Sequence, residues 1–254
     1  MAALQDMSGR TVIVTGFEPF GGETVNASWE AARSLDGWRC GDAVAVARLL
    51  PCVYGACVAE FVDAIDRLRP EAVLMTGQAA RRAVVSVESV ARNGAGASAA
   101  DNGGVVRSEI ASEGPALLEA TVRPVDVARA IRAAGLPARV STNAGDYVCN
   151  HLFYEALRYL RRQAPGTPAV FVHLPATPEQ TPRRASRSRL ATADAVRALE
   201  AAISAMAKQG AHLERGADRE ARESAGLTPA ARRERLDRSV KNIPARRHGL
   251  GEKP

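Results

Sequence analysis

TVIVTG, at residues 11–16, is a short β-branched run that ends at a glycine, as a buried strand does before a loop. The run AVLMTG at residues 72–77 repeats this pattern of apolar residues closing on Thr-Gly. Between the two runs, residues 44–50 resemble another strand, and residues 54–68 carry apolar side chains at the spacing of one helix face. Strands that alternate with helices predict parallel βαβ units, so we expect an α/β fold.

The rest of the chain adds elements of the same two kinds. Helices are predicted at residues 29–35, 125–135 and 191–209, and strands at 138–142 and 168–175. The N-cap of the first of these helices is predicted to be Asn26 or Ser28. Residues 83–107 alternate only weakly and contain many glycines. This segment predicts an excursion of short strands and loops rather than a part of the core.

The composition is that of an ordinary globular protein. The 254 residues are 46% hydrophobic and 24% charged, which excludes the disordered, collagen-like and coiled-coil classes. No apolar run is long enough to span a membrane, and the start MAALQDMSGR lacks an apolar signal core, so we expect a cytoplasmic protein without a membrane partner. Four cysteines without a CxxC pair indicate reduced thiols and no metal site.

The charge of the chain is concentrated at its C-terminal end. Residues 211–254 contain eleven Lys or Arg and seven Asp or Glu, which is most of the net charge of +6. No Phe, Trp or Tyr follows Phe171, so this segment has little to bury and offers no stacking platform for nucleic acid. We predict a domain at residues 1–210 and a basic, loosely ordered or partly helical extension at 211–254, with no nucleic-acid partner.

Cys149 occupies a position at which a thiol can become reactive. It follows the loop NAGDYV and begins a helix with a clear apolar stripe. A thiol in the first helical turn meets free backbone N–H groups and the positive end of the helix dipole, which predicts a lowered pKa. The alternative is that Cys149 simply begins the apolar stripe, and Cys40, Cys52 and Cys57 are interpreted in that way.

A nucleophilic cysteine needs a base, and the chain contains four histidines. His212 and His248 lie in the extension, and His151 is two residues from Cys149, which on a helix points it about 200° away. His173 lies near the end of a predicted strand, where open α/β sheets bind their ligands. If the Cys149 loop follows a neighbouring strand, both groups reach the same edge of the sheet; a strand-end histidine bonded to the backbone is the alternative.

An imidazole base usually has a third group that fixes its tautomer, most often a carboxylate or an amide. Spacing along the chain does not choose among the carboxylates available. The candidates are Glu88, Asp101, Asp146 and Glu179.

The loop TGFEPFGG lies between a strand and a helix but lacks the features of a phosphate-binding loop. It contains neither the lysine of GxxxxGK[ST] nor a GxGxxG pattern. Phe17 and Phe20 instead predict the wall of an apolar slot, in which glycines let the backbone approach a small ligand. Ordinary core packing of the two rings is the alternative.

Four blocks of the sequence resemble the pyroglutamyl peptidases of type I, also called pyrrolidone carboxyl peptidases. The blocks occur in the order of that family and, with the residues between them, cover residues 10–208. They are TGFEPFGGETVNASWEA at residues 15–31, TGQAARRAVVSVESVARN at 76–93, AGDYVCNHLFYEAL at 144–157 and FVHLPATPEQ at 171–180.

The resemblance implies roles that spacing leaves open. It makes Cys149 the nucleophile, His173 the base and Glu88 the orienting carboxylate of a catalytic domain at residues 1–210. It also implies a three-layer α/β/α sandwich with a mostly parallel twisted sheet, assembly into a homotetramer or dimer, and no metal or organic cofactor.

The resemblance further implies a cysteine peptidase that removes N-terminal pyroglutamate from small peptides through an acyl-enzyme. Backbone N–H groups near Cys149, together with Arg82, match the groups that would hold the oxyanion. The family positions that line the slot for the lactam correspond to Phe17, Phe20, Tyr147, Val148 and the main chain at Gln78.

The chain departs from the family pattern near this site. Ala80 and Arg81 replace two glycines of the family's GQAGGR, and Tyr147 stands where the family usually has phenylalanine. If those glycines adopt positive φ, the replacements strain the loop. The alternative function is therefore a catalytically weakened homologue that binds pyroglutamyl or other lactam ligands without efficient cleavage.

Overall fold

The computed structural model describes residues 10–225 except 97–98, 108–109, 111–112 and 181–188, with no side chains described at 179 or beyond 209. The described strands are β1 Arg10–Phe17, β2 Arg39–Cys40, β3 Ala43–Leu50, β4 Ala72–Gln78, β5 Val85–Glu88, β6 Val90–Arg92, β7 Leu117–Glu119, β8 Ala138–Ser141 and β9 Ala169–Leu174. The α-helices are α1 Ala27–Ser34, α2 Ala56–Leu68, α3 Pro124–Ala133, α4 Val148–Gln163 and α5 Thr192–Ala225, and Pro178–Gln180 form a 3₁₀ turn.

Seven of these strands form one sheet in the order β2-β3-β1-β4-β9-β5-β8. β1 pairs in parallel with β3 and β4, and β4 pairs in parallel with β9. β2 is antiparallel to β3, and β5 is antiparallel to β9 but parallel to β8. The predicted mostly parallel sheet is confirmed.

Helices cover both faces of this sheet. The first core contains Val14 and Leu74 with the apolar sides of α1, α3 and α5, and the second contains Ile13 and Met75 with α2 and α4. Alternate residues of a strand point to opposite faces, so a strand covered on both sides needs the continuous apolar runs seen in β1 and β4. The predicted three-layer α/β/α sandwich is confirmed.

The prediction that residues 83–107 lie outside the core is wrong for β5. All four residues of β5 are buried, and the strand lies inside the main sheet between β9 and β8. Val85 and Val87 pack in the core on one face, whereas the alternating Ser86 and Glu88 are buried polar residues. This alternation made the segment resemble a half-exposed strand. β6, in contrast, pairs with β7 in a separate two-stranded ribbon, as an excursion would.

The start of α1 lies close to the end of β1. The side chain of Asn26 caps the helix by accepting the backbone N–H of Ser28 at 3.0 Å, and the Ser28 hydroxyl accepts the N–H of Phe17 at 3.0 Å. A Cβ on Gly16 would come within 2.6 Å of the Trp29 backbone, so this close approach requires glycine. The loop between β1 and α1 is therefore fixed at both ends.

α5 extends beyond its predicted end at Gln209 and continues to Ala225. Residues 210–225 are rich in Ala, Glu and Arg, which have high helix propensities. The rest of the predicted extension lies outside the described residues, and the division at residue 210 stays a prediction. No helix in the described part of the chain has the length and apolar character needed to cross a membrane.

Candidate active site

Cys149 is the second residue of α4 and is half-buried. Tyr147 is the N-cap but provides no side-chain cap, and the N–H of His151 makes the bond back to the Tyr147 carbonyl at 3.2 Å. The N–H groups before His151 in this first turn have no partner within the helix. They are hydrogen-bond donors in the same turn as the thiol.

The thiol lies directly over Gly77 of β4. A Cβ built on Gly77 would be 2.8 Å from Cys149 Sγ and 2.8 Å from Phe171 Cζ. Gly77 pairs in register with His173 of β9, and adjacent strands lie about 4.8 Å apart. The fold thus brings the thiol and the imidazole to neighbouring positions on one face of the sheet.

The way in which the structure brings Cys149 close to His173 differs from the one expected from the sequence. The loop before Cys149 follows β8, which is separated from β9 by β5 and runs antiparallel to β9. The Cys149 loop therefore does not follow a strand next to that of His173. The two groups meet because α4 packs across the sheet and lays its first turn over Gly77.

Replacing Gly77 by alanine is expected to lower kcat/KM about 100-fold, because the new methyl group displaces the thiol or the Phe171 ring beneath it. Gly94→Ala is the matched control, since a Cβ there meets no atom within 4 Å. Both variants are compared by steady-state kinetics and by thermal unfolding. Equal activity in the two alanine variants would contradict the proximity of the thiol to Gly77.

His173 is held by Glu88. Its Nδ1 lies 2.8 Å from Glu88 Oε1, and both side chains are buried, with 4% and 0% of their surfaces exposed. An ionised carboxylate only accepts, so Nδ1 carries the proton and Nε2 is the nitrogen available to a thiol. The Phe171 ring packs against the imidazole with the ring centroids 4.8 Å apart and fixes its plane.

The other candidate carboxylates lie elsewhere. Asp101 is buried and accepts three backbone N–H groups, including that of Tyr54, so it shapes a loop. Asp146 is paired with Arg92 on the surface at 2.6 Å. The side chain of Glu179 lies outside the described residues. Of the three candidates that can be placed, only Glu88 is hydrogen-bonded to His173.

Burial dominates the electrostatics of this cluster. Desolvation raises the pKa of the Cys149 thiol well above its ordinary value, and it lowers the pKa of His173 despite the neighbouring Glu88. Burial opposes ionisation of Glu88 as well, but the hydrogen bond and charge of His173, with Arg82, hold the pKa of that carboxyl below its ordinary value. The lowered thiol pKa expected from the helix start is therefore wrong, because desolvation by burial is the largest influence on the thiol.

Aromatic side chains lie beside the thiol. Phe17 and Val148 are buried in the same core, and the rings of Phe20 and Tyr147 are in contact with centroids 5.9 Å apart. The edge of Tyr54 also contacts Tyr147 at 5.9 Å, a neighbour that the sequence analysis had assigned only to the stripe of α2. The Tyr147 hydroxyl, absent from the phenylalanine usual at this position, donates to the Ala100 carbonyl at 2.9 Å.

Gln78 joins three segments at the end of β4. Its Oε1 accepts the Ala27 N–H at 2.8 Å and the Gln180 side chain at 2.6 Å. Gln180 also donates to the Val25 carbonyl at 2.9 Å. Only the main chain of Gln78 was predicted to take part, because side-chain contacts over 51 and 102 residues leave no local pattern in the sequence.

Arg82 contacts Glu88 from the loop after β4. Its guanidinium forms an ion pair with Glu88 Oε1 and donates to the Asn143 carbonyl at 2.6 Å. The preceding Ala80 and Arg81 do not have positive φ; among described residues other than glycine, only Arg69 does. Replacement of the two family glycines therefore causes no strain of this kind.

Asn150 is a further residue that the sequence analysis missed. It is fully buried, accepts the Arg92 N–H at 3.0 Å, and donates to the carbonyls of Arg92 and Gly94, both at 2.9 Å. These bonds attach the first turn of α4 to β6 and so fix the position of Cys149. A polar residue among the apolar residues at the start of the helix was the signal that could have revealed it.

Comparison with known proteins gives the family. The family model described as pyroglutamyl peptidase matches residues 10–209, which include the strands and helices around this site. The chain belongs to the pyroglutamyl peptidase family. The resemblance predicted from the four sequence blocks is confirmed, as is the enzyme class, a hydrolase of the cysteine-peptidase type.

Individual members of the pyroglutamyl peptidase family are similar along most of their length. The pyrrolidone-carboxylate peptidase of Cupriavidus necator is 47% identical over 197 residues, covering 76% of this chain and 91% of the relative. The protein of the same name from Klebsiella pneumoniae is 42% identical over 200 residues, covering 78% and 93%.

Solved structures of the family share the fold. Pyroglutamyl peptidase I of Bacillus amyloliquefaciens superimposes with a TM-score of 0.76 at 36% identity, covering 79% of this chain and 98% of that one. A mutant pyrrolidone carboxyl peptidase of Pyrococcus furiosus gives a TM-score of 0.75 at 28% identity, covering 79% and 99%.

Proposed function

We propose that the chain removes an N-terminal pyroglutamyl residue from small peptides through a triad of Cys149, His173 and Glu88. The observation that carries this proposal is the continuous arrangement of the three side chains. Glu88 is hydrogen-bonded to His173, and His173 is the register partner of Gly77, over which the thiol lies. A nucleophile, a base and an orienting carboxylate in this order are the elements of covalent acyl transfer.

In the first step, Cys149 and His173 both start uncharged. Because burial raises the pKa of Cys149 and lowers that of His173, thiol and imidazole are both neutral at neutral pH. Nε2 of His173 takes the thiol proton as Sγ bonds to the carbonyl carbon that joins pyroglutamate to the next residue. Glu88 stabilises the imidazolium that results.

In the second step the imidazolium of His173 protonates the leaving amine, and the C–N bond breaks. A thioester between Cys149 and the pyroglutamyl group remains. A water molecule then gives its proton to His173 and attacks the thioester carbonyl, which releases pyroglutamate and restores the thiol. Every proton transferred in this sequence passes through His173.

The negative oxygen formed in each step lies near the start of α4. The first-turn N–H groups around Cys149 have no helical partner and are available as donors. The role of Arg82 at the oxyanion stays a prediction. Two of its nitrogens already donate, to Glu88 and to the Asn143 carbonyl.

The ligand slot suits a small uncharged ring. Phe17, Phe20, Tyr147 and Val148 provide apolar faces, and we assign the main chain at Gln78 to the polar atoms of the lactam. A slot with buried polar groups discriminates strongly against an analogue that lacks the matching atom, by up to about 10⁴-fold.

The test is hydrolysis of a pyroglutamyl fluorogenic amide beside the corresponding prolyl amide, which lacks the ring carbonyl. We expect dye release from the pyroglutamyl compound, at least about 100-fold faster than from the prolyl compound. The rate should rise with pH as His173 loses its proton, at a pH below the ordinary histidine value of about 6.5, since burial lowers the pKa of His173.

The outcome that would contradict this function is saturable binding of a pyroglutamyl amide without release of dye. The rate at which iodoacetamide alkylates each cysteine then provides a second test. If His173 activates the thiol, Cys149 is alkylated faster than Cys52 and Cys57, whose pKa values burial raises to about 12. Equal slow alkylation of the three thiols would support binding without cleavage.

A further inference from the structure

We propose that Arg82 is a positioning residue, which fixes the carboxylate of Glu88 and ties it to the loop that leads into Cys149. The inference rests on the proposed triad. It gives Arg82 a function that acts through Glu88 and His173 rather than on the substrate.

The first reason is the small number of groups that hold the Glu88 carboxylate, which are His173, Arg82 and the Ser141 hydroxyl. One oxygen, Oε1, receives both His173 Nδ1 and the Arg82 guanidinium, whereas Oε2 is buried without a hydrogen-bond partner in the described part of the chain. The terminal torsion of a glutamate is broad, so loss of the Arg82 bond would leave the carboxylate less firmly held. A fully buried carboxylate also needs a cation to remain ionised.

The second reason is the other end of the same guanidinium. Arg82 Nη2 donates to the carbonyl of Asn143, which lies six residues before Cys149. The Asn143 side chain in turn accepts the Gly145 N–H at 3.0 Å and Arg92 Nη2 at 2.9 Å, so the loop is held in one conformation. A planar fork can bridge two acceptors in this way, whereas a lysine ammonium has no fixed second direction.

The charge of Arg82 also changes the pKa values of Cys149 and His173, the two groups that exchange a proton. Glu88 on β5 and Cys149 on α4 are the titratable groups that accompany Arg82 around His173. Burial is the largest influence on both proton-exchanging groups. Arg82 adds to it by lowering the pKa of His173, and it opposes the burial effect by lowering the pKa of Cys149. It therefore favours the neutral imidazole that the first step requires.

The experiment is a double-mutant cycle of Arg82→Gln and Glu88→Gln, with turnover of the pyroglutamyl amide as readout. Arg82→Gln should lower kcat about 10- to 100-fold with little change in KM, as is typical for groups that orient a functional histidine. In the Glu88→Gln background the same change should cost less than about twofold, because its target is gone. Losses that multiply would overturn the proposal and favour direct contact of Arg82 with the oxyanion.

The pH profile adds a readout that loss of stability does not move. Removing Arg82 raises the pKa of His173, so the acid limb of kcat/KM should move to higher pH; removing Glu88 should move it to lower pH. Arg82→Lys keeps the charge without the fork and should keep the wild-type limb while kcat falls. Arg81→Gln, an exposed neighbour, is the matched control and should retain activity within about twofold.

Alkylation of Cys149 separates this inference from the proposed function. If the wild-type protein does not cleave the amide, the function fails, but the pH dependence of iodoacetamide labelling still reports on His173. An upward shift of its acid limb in Arg82→Gln supports the positioning role. An unchanged limb in folded Arg82→Gln contradicts it. If the glutamine variant does not fold, Arg82→Lys decides the case by the rate of labelling at its pH plateau, which should fall while the limb stays in place; an unchanged rate contradicts the positioning role.

Discussion

Cys149→Ser is expected to reduce turnover of a pyroglutamyl amide by at least about 10⁴-fold, close to the limit of detection. The substitution changes one atom, and the smaller oxygen fits in the place where the sulfur lies over Gly77. A serine hydroxyl is far less acidic than a thiol, and burial already raises the pKa of the thiol at this position. His173, whose pKa burial lowers, is too weak a base to activate it.

The matched control is Cys40→Ser. Cys40 is half-buried and lies 3.5 Å from the Ser204 hydroxyl, far along the sheet from the triad on the antiparallel edge strand β2. This variant should retain the wild-type kcat/KM and remain sensitive to iodoacetamide. Both variants should unfold near the wild-type temperature, which excludes misfolding as the cause. Persistent turnover in Cys149→Ser would mean that another group is the nucleophile.

The helices and the central parallel strands could be predicted from the sequence because their signals are local. The runs at residues 11–16 and 72–77 lie within β1 and β4, and the stripe at 54–68 contains α2. The placement of β5 could not be predicted, because the partners of its two polar residues include distant ones, Arg139 for Ser86 and His173 for Glu88, which lie 53 and 85 residues away in the chain. Its antiparallel pairing with β9 reverses the direction of β8, which no local pattern records.

The candidate site shows the same division. Cys149 and His173 were singled out from their positions at a helix start and a strand end, but Glu88 is 85 residues from His173 and was selected only by the family resemblance. The contribution of Gly77 depends on a register between β4 and β9 that the sequence does not reveal. The pKa of Cys149 was predicted in the wrong direction because desolvation depends on the packing of the whole core.

Glu88→Gln is expected to lower kcat about 1,000-fold or more while KM changes little. An ionised carboxylate accepts from Nδ1 of His173 and leaves Nε2 unprotonated, whereas an amide can donate to Nδ1 and favour the opposite tautomer. The proton would then lie on the nitrogen that must accept it from the thiol. The imidazolium formed during attack also loses the buried negative charge that stabilises it.

Asp146→Asn is the matched control for Glu88→Gln, since the same chemical change is made at another candidate carboxylate. Asp146 is on the surface and pairs with Arg92, so its loss should change kcat by less than about threefold. Kinetics at several pH values separate the two variants further, because only the loss of Glu88 lowers the pKa of His173. If the two variants lose activity equally, Glu88 does not orient the base. If Glu88→Gln alone loses it, the hydrogen bond from Glu88 to His173 is required for catalysis.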